Sequence, residues 1–150
     1  MKLSEYFGHW KQLNRDLLWT VDQFNQDDLS YIPFENSWPV GAIMLHIADA
    51  EDGWFRYVVS QELPGWPDFA LEQYPDIASI KTLISEVHAR TETFLESLEG
   101  ADLDRPITQP WNNKEVPLGW IIWHVLEHEI HHRGELSLIL GILGREGLDV

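Results

Sequence analysis

The chain has 150 residues and a mass of 17.5 kDa, enough for one domain with a sizeable core, and its 44% hydrophobic content is that of a globular protein. With 25 acidic against 10 basic residues the formal net charge is −15, a field that opposes nucleic-acid backbones and anionic membrane surfaces. Cysteine is absent, which excludes disulfides, thiolate metal ligands and a thiol nucleophile of the chain's own. The charge-interrupted start MKLSEYFGHWKQ does not read as a secretory signal, and no apolar run reaches the ~20 residues of a membrane span. A cytoplasmic protein is the expectation.

Four helices are predicted in a single domain, residues 1–150. The first spans Leu3 to Gln26, with Tyr6, Phe7, Trp10, Leu13, Leu17, Val21 and Phe24 at three-and-four spacing, and ends in a polar turn before Pro33. The second spans Pro39 to Gln61, with Ser37 as N-cap and Ile43, Ile47, Trp54, Tyr57 and Val58 on its apolar face. ELPGWPDFALEQYPD follows as a loop with packing of its own. The third helix, Ser79 to Glu99, carries the stripe Ile80, Leu83, Ile84, Val87, Thr91, Phe94, Leu95 and Leu98 and stops at Gly100. DLDRPITQPWNNKEVP is too polar and proline-rich for helix, and Asn112-Asn113 between short extended runs suggests a small hairpin. The last helix runs from Leu118 to Leu143 and closes near Gly144. The expected fold is all-α, a four-helix bundle with at least one long crossover connection.

One internal similarity stands out. SWPVGAIMLHIADAE (37–51) aligns without gaps to EVPLGWIIWHVLEHE (115–129), matching Pro39 to Pro117, Gly41 to Gly119, His46 to His124, and Glu51 to Glu129. Two helices could begin alike because capping and packing demand it. Alternatively, both aim an inward imidazole at one shared site.

WHVLEHEIHHRGEL (123–136) holds four of the seven histidines. Residues four apart on a helix are turned by only ~40°, so such a pair can chelate one ion. His124 with His128, and His128 with His132, have that spacing. The apolar residues of this helix put its buried direction nearest His132 and then His128, with His124 and His131 toward the margin. His46, mid-helix among Ile43, Ile47 and Ala50, is the best third ligand. His9 and His88 lack such spacing and read as ordinary residues, and Arg133 as structural. Three neutral imidazoles leave a position open on the ion, and Zn²⁺, Ni²⁺ and Fe²⁺ all suit them. Glu135 follows His132 by three residues and can be a partner to an imidazole N–H, a fourth ligand, a general base or a solvated side chain. Asp49, three after His46, is the corresponding candidate catalytic residue on the second helix.

The segments DDLSYIPFENSWPVGAIMLHIADAEDGWF (27–55) and PLGWIIWHVLEHEIHHRGEL (117–136) resemble the DinB/YfiT-like family of bacterial metalloenzymes. The order and separation of the two segments also match. The resemblance implies a four-helix bundle with a crossover and a divalent metal held by His46, His128 and His132. Family members usually have Gln where Glu135 stands, so this chain adds a carboxylate beside the site. Characterised relatives in the wider superfamily include transferases and isomerases using bacillithiol, mycothiol or similar thiols, and many relatives are dimers. Trp66, Trp111 and Trp120 could line an interface or a pocket. The expected function is a metal-dependent transferase activating a low-molecular-weight thiol. A metal-dependent hydrolase and a non-enzymatic metal- or ligand-binding bundle are the alternatives.

Overall fold

The computed structural model describes residues 1–149, and its elements follow from the apolar patterning with several corrections. The first predicted helix is two: α1, Leu3–Tyr6, and α2, Trp10–Asp22. The break at residues 7–9 lets the N-terminal turn bend toward the end of the third long helix. Leu3 N–H donates to Leu98 O at 3.1 Å, and the Leu3 side chain is buried. The polar turn after α2 is a short 3₁₀ helix, Gln26–Ser30.

Helix α3, Val40–Asp52, is entered through Pro39. Ser37 does not cap it; its hydroxyl bonds the carbonyl of Trp38 instead. The helix then widens into a π-helical stretch, Gly53–Val59, rather than continuing as α-helix to Gln61. Helix α4, Ile77–Glu96, starts two residues before the expected Ser79, because Asp76 and Ser79 form a reciprocal capping box. It ends before Gly100, which opens a second 3₁₀ helix, Gly100–Asp104, over residues expected to be non-helical. The hairpin forms from β1, Pro106–Thr108, and β2, Glu115–Pro117, antiparallel with Ile107 opposite Val116. Its tip holds Asn113 at φ 57, a conformation asparagine tolerates. Helix α5, Leu118–Ile142, is the longest.

Helix α2 packs chiefly on α4 and α5, and α3 packs on the same two, so α2 and α3 occupy opposite corners of the bundle. Both α2–α3 and α4–α5 are therefore joined across a diagonal. The long loop between α3 and α4, by contrast, joins neighbours. The two diagonal connections are built alike: a 3₁₀ helix closed by a capping box, then a proline, then a helix with glycine near its start. The shared glycines have a shared cause. A Cβ on Gly41 would lie 3.1 Å from Leu29 O and 2.7 Å from Leu71 Cδ2, and one on Gly119 would lie 3.2 Å from Leu103 O. Each helix start is pressed under the 3₁₀ turn that precedes it.

The core divides in two. One apolar cluster gathers Leu17, Val21, Ile43, Ile47, Ile80, Ile84 and Leu136, and the other Trp10, Phe55, Leu95, Ile121, Ile122 and Val125. Between them lies a buried polar layer with members from every long helix: Asn14, Glu51, His88, Thr91, Glu129 and Arg133.

Gly41→Ala should lower stability by about 1–3 kcal/mol through overpacking against Leu71 and Leu29. Gly65→Ala, facing open space, should be nearly neutral; urea unfolding of both variants measures the difference.

Candidate metal centre

Helices α3 and α5 pack directly together, and their shared edge brings His46, His128 and His132 into one cluster. The Nε2 atoms of His46 and His128 stand 3.0 Å apart, and one ring nitrogen from each of the three lies within 4.8 Å of the others. The rings meet edge to face, with centroids 4.4 to 5.1 Å apart. All three are partly buried. One turn of α5 separates His128 from His132, and α3 supplies the opposing imidazole.

Carboxylates hold two of the rings from behind. His46 Nδ1 lies 3.2 Å from Asp49 Oδ1, which also accepts the Trp66 indole N–H at 3.2 Å. His132 Nδ1 lies 2.7 Å from Glu135 Oε2. With the proton on each Nδ1 donated to its carboxylate, the Nε2 lone pairs of both rings are free for a ligand. Asp49 and Glu135 thus sit as orienting partners of the imidazoles.

The remaining histidines of the cluster differ. His124 stacks on Trp120 at 4.9 Å and 6° and meets Trp54 edge-on, with its ring 6.4 Å from His128. It is the sequence counterpart of His46 but lies outside the three-imidazole group. His131 is exposed and comes near His132 and Glu135, the latter already bonded to His132. Trp66, Trp111 and Trp120 pack edge-on around Trp54, at 5.9, 5.3 and 5.8 Å.

Burial, followed by the neighbouring imidazoles of His132 and His46, pushes His128 down to about 3. Burial also lowers His132, against the opposing pull of Glu135. Protonated imidazoles cannot bind a metal, so this environment keeps His128 ligand-ready well into acid and favours the neutral form of His132.

His88, expected to be ordinary, is 5% exposed and engaged with Glu51, with its Nδ1 3.1 Å from Glu51 Oε1. Burial opposes charge on it, but the carboxylates of Glu51, Glu129 and Glu92 together outweigh this and raise its pKa. The available signal was positional: His88 falls four residues after Ile84 and three before Thr91, within the apolar stripe of α4. Arg133 is buried in the same layer, 3.6 Å from Asp16.

Residues 9–136 match the DinB superfamily, and the chain belongs to that family. A curated protein of Geobacillus kaustophilus, provisionally named a metal-dependent hydrolase, is 24% identical over 147 residues, covering 91% of this chain and 83% of its own. A DinB-like crystal structure from Bacillus cereus superposes with a TM-score of 0.78 at 16% identity, over 99% of this chain and 97% of that one. YfiT from Bacillus subtilis, provisionally described as a metal-dependent hydrolase with an unusual four-helix bundle topology, superposes at 0.65 and 20% identity, over 93% and 87%. At these identities the two structures share the fold.

In the metal-free protein the folded-state pKa of His128 lies below the unfolded value of 6.5. The neutral ring's contribution is therefore complete above pH 6.5 and is lost as pH falls from there toward about 3. NMR titration should show no protonation of His128 at pH 5. The unfolding free energy of wild type should fall faster between pH 6.5 and 4 than that of His128→Asn.

Proposed function

We propose that His46, His128 and His132 hold a divalent ion and that the chain is a metal-dependent hydrolase. One observation carries this reading: three imidazole nitrogens converge from two helices, and two of the rings are held at Nδ1 by the carboxylates of Asp49 and Glu135. Three nitrogen donors suit Zn²⁺, Ni²⁺ or Fe²⁺ and leave room for a further ligand. Among the described residues no fourth side chain joins this group to close it, which sets it apart from a purely structural site. The provisional names of the Geobacillus relative and of YfiT point the same way.

Such an ion supplies polarisation of an electrophilic carbonyl or phosphoryl group and acidification of a water at neutral pH. The chain's residues would do the rest. Glu135 holds His132 through Oε2, which leaves its second oxygen to accept a proton from the nucleophile. Asp49, fixed by the Trp66 indole, keeps His46 in one tautomer and orientation. Trp38 stands edge-on to His46 at 4.9 Å and separates two grooves. One, of about 420 Å³, is lined by Trp38, His46, Asp49, Phe69, Leu71 and Glu72. The other, of about 280 Å³, is lined by Phe34, Ser37, Trp38, His131, His132 and Glu135.

These paired grooves favour a second reading, transfer of a low-molecular-weight thiol to an electrophile. Each groove would receive one reactant, and the absence of cysteine requires the thiol to come from a cosubstrate.

Metal content of untagged protein should be near stoichiometric for the triad and should fall in His46→Ala, His128→Ala and His132→Ala. Turnover of an ester and amide panel without thiol supports hydrolysis. Turnover only with added thiol assigns the transferase, and metal-independent turnover removes both readings. Glu135→Gln should weaken metal affinity about 10–100-fold, as loss of a charged partner to a ligand imidazole does.

A further inference from the structure

The polar layer at the centre of the bundle contains a second group of potential ligands. Glu51 from α3, His88 from α4 and Glu129 from α5 each place one ligand atom within 4.8 Å of the others, and all three side chains are buried. The carboxylates stand at 3% and 2% exposure, where two like charges would repel strongly without a cation between them. We infer that Glu51, His88 and Glu129 form a second, interior cation site, separate from the three-imidazole cluster, for a divalent first-row ion such as Mn²⁺, Fe²⁺ or Zn²⁺.

Three observations carry the assignment. The first is ligand-like geometry. Glu51 Oε1 and His88 Nδ1 are 3.1 Å apart, close to the roughly 3.0–3.4 Å between neighbouring donors on an ion with ~2.1 Å bonds. Two oxygens and one imidazole nitrogen are the mixed donor set these ions accept.

The second is unused bonding capacity. The Trp10 indole donates to Glu129 Oε2 at 2.8 Å and fixes the carboxylate, yet Glu129 Oε1 has no partner although fully buried. His88 Nε2 is also without a hydrogen bond; Glu92 Oε1, 3.4 Å away, is its nearest acid. The Arg133 charge is directed at Asp16, 3.6 Å away, and makes no hydrogen bond to Glu129. Buried carboxylate oxygens are rarely left unpartnered, because the loss of solvation is large.

The third is the internal repeat. Glu51 and Glu129 occupy equivalent positions, 78 residues apart, in the aligned segments. Trp10 and His88, which bond one glutamate each, are separated by the same 78 residues. The two halves of the bundle therefore meet carboxylate to carboxylate, each glutamate contacted by a ring nitrogen from the first helix of one half. One departure breaks the equivalence: His88 offers a ligand nitrogen where Trp10 offers only a donor. On the outer side of the layer, a groove of about 340 Å³ has His88 in its lining together with Asn14, Glu92, Lys11 and Arg15.

The test is a count of tightly held ions. Wild-type protein is loaded with excess Zn²⁺ or, separately, Mn²⁺, desalted, and its metal per chain measured by mass spectrometry. Two ions per chain, falling to one in Glu129→Gln and in Glu51→Gln, is the expected result with at least one of the two ions. His128→Ala/His132→Ala should retain one. A folded His128→Ala/His132→Ala chain holding no ion of either metal, or a folded Glu129→Gln holding as many ions as wild type, would overturn the assignment. Should the glutamine variants fail to fold, Mn²⁺ added to the His128→Ala/His132→Ala chain decides. Broadening of the Trp10 indole N–H resonance ahead of those of Trp38 and Trp123 supports the interior site, and its persistence at stoichiometric Mn²⁺ overturns it. The readouts do not involve turnover, so loss of the interior ion and failure of the proposed hydrolase are distinguished.

Discussion

The direct packing of α3 on α5 is the contact on which the rest of this molecule depends. At one edge of that contact His46 meets His128 and His132; in the interior Glu51 and Glu129 face His88 and Trp10. His128 and Glu129 are consecutive, so a helix of 3.6 residues per turn points them about 100° apart. One rotational setting of α5 must satisfy both. The Trp10–Glu129 bond and the burial of Arg133 hold that setting from the inside, and the imidazoles use it at the edge.

That arrangement carries a cost which two flanking apolar clusters must offset. Glutamates, a histidine and an arginine lie at single-digit exposure across the middle of the bundle. A hydrophobic layer of similar volume would often be equally or more stable. The polar layer instead gives the packing a register: a slide of α5 by one turn would leave Glu129 against apolar side chains and its partners empty. The apolar pattern of α5 marks its buried face only weakly, because Trp120, Trp123, Ile130, Leu138 and Ile142 are exposed on the same helix.

The repeat explains how the fold is assembled and also where it stops being symmetric. Each half consists of a helix, a capped 3₁₀ turn on a diagonal connection, and a second helix pressed under that turn at a glycine. Function enters where the halves diverge. His46 belongs to the metal-candidate cluster, while its counterpart His124 is taken up by Trp54 and Trp120. His128 and His132 belong to the second half only: the positions equivalent to them are Ala50 and Trp54. One imidazole from one half and two from the other make an asymmetric three-nitrogen group from nearly equivalent helices.

Much of this was legible in the chain because it depends on neighbours in sequence. Helical periodicity marked four long helices, proline and asparagine marked the hairpin, and the four-residue spacing of His128 and His132 placed both on one face. The similarity of 37–51 to 115–129 also named Glu51 and Glu129 as equivalent. Tertiary structure decided what local rules cannot. The break at residues 7–9 serves Leu3 docking at Leu98. Which helices are diagonal, and hence which histidine faces which, depends on contacts between residues far apart in the chain. His88 shows the limit best: its place in the apolar stripe of α4 signals burial, but only packing of three other helices around it sets it in a buried charged layer.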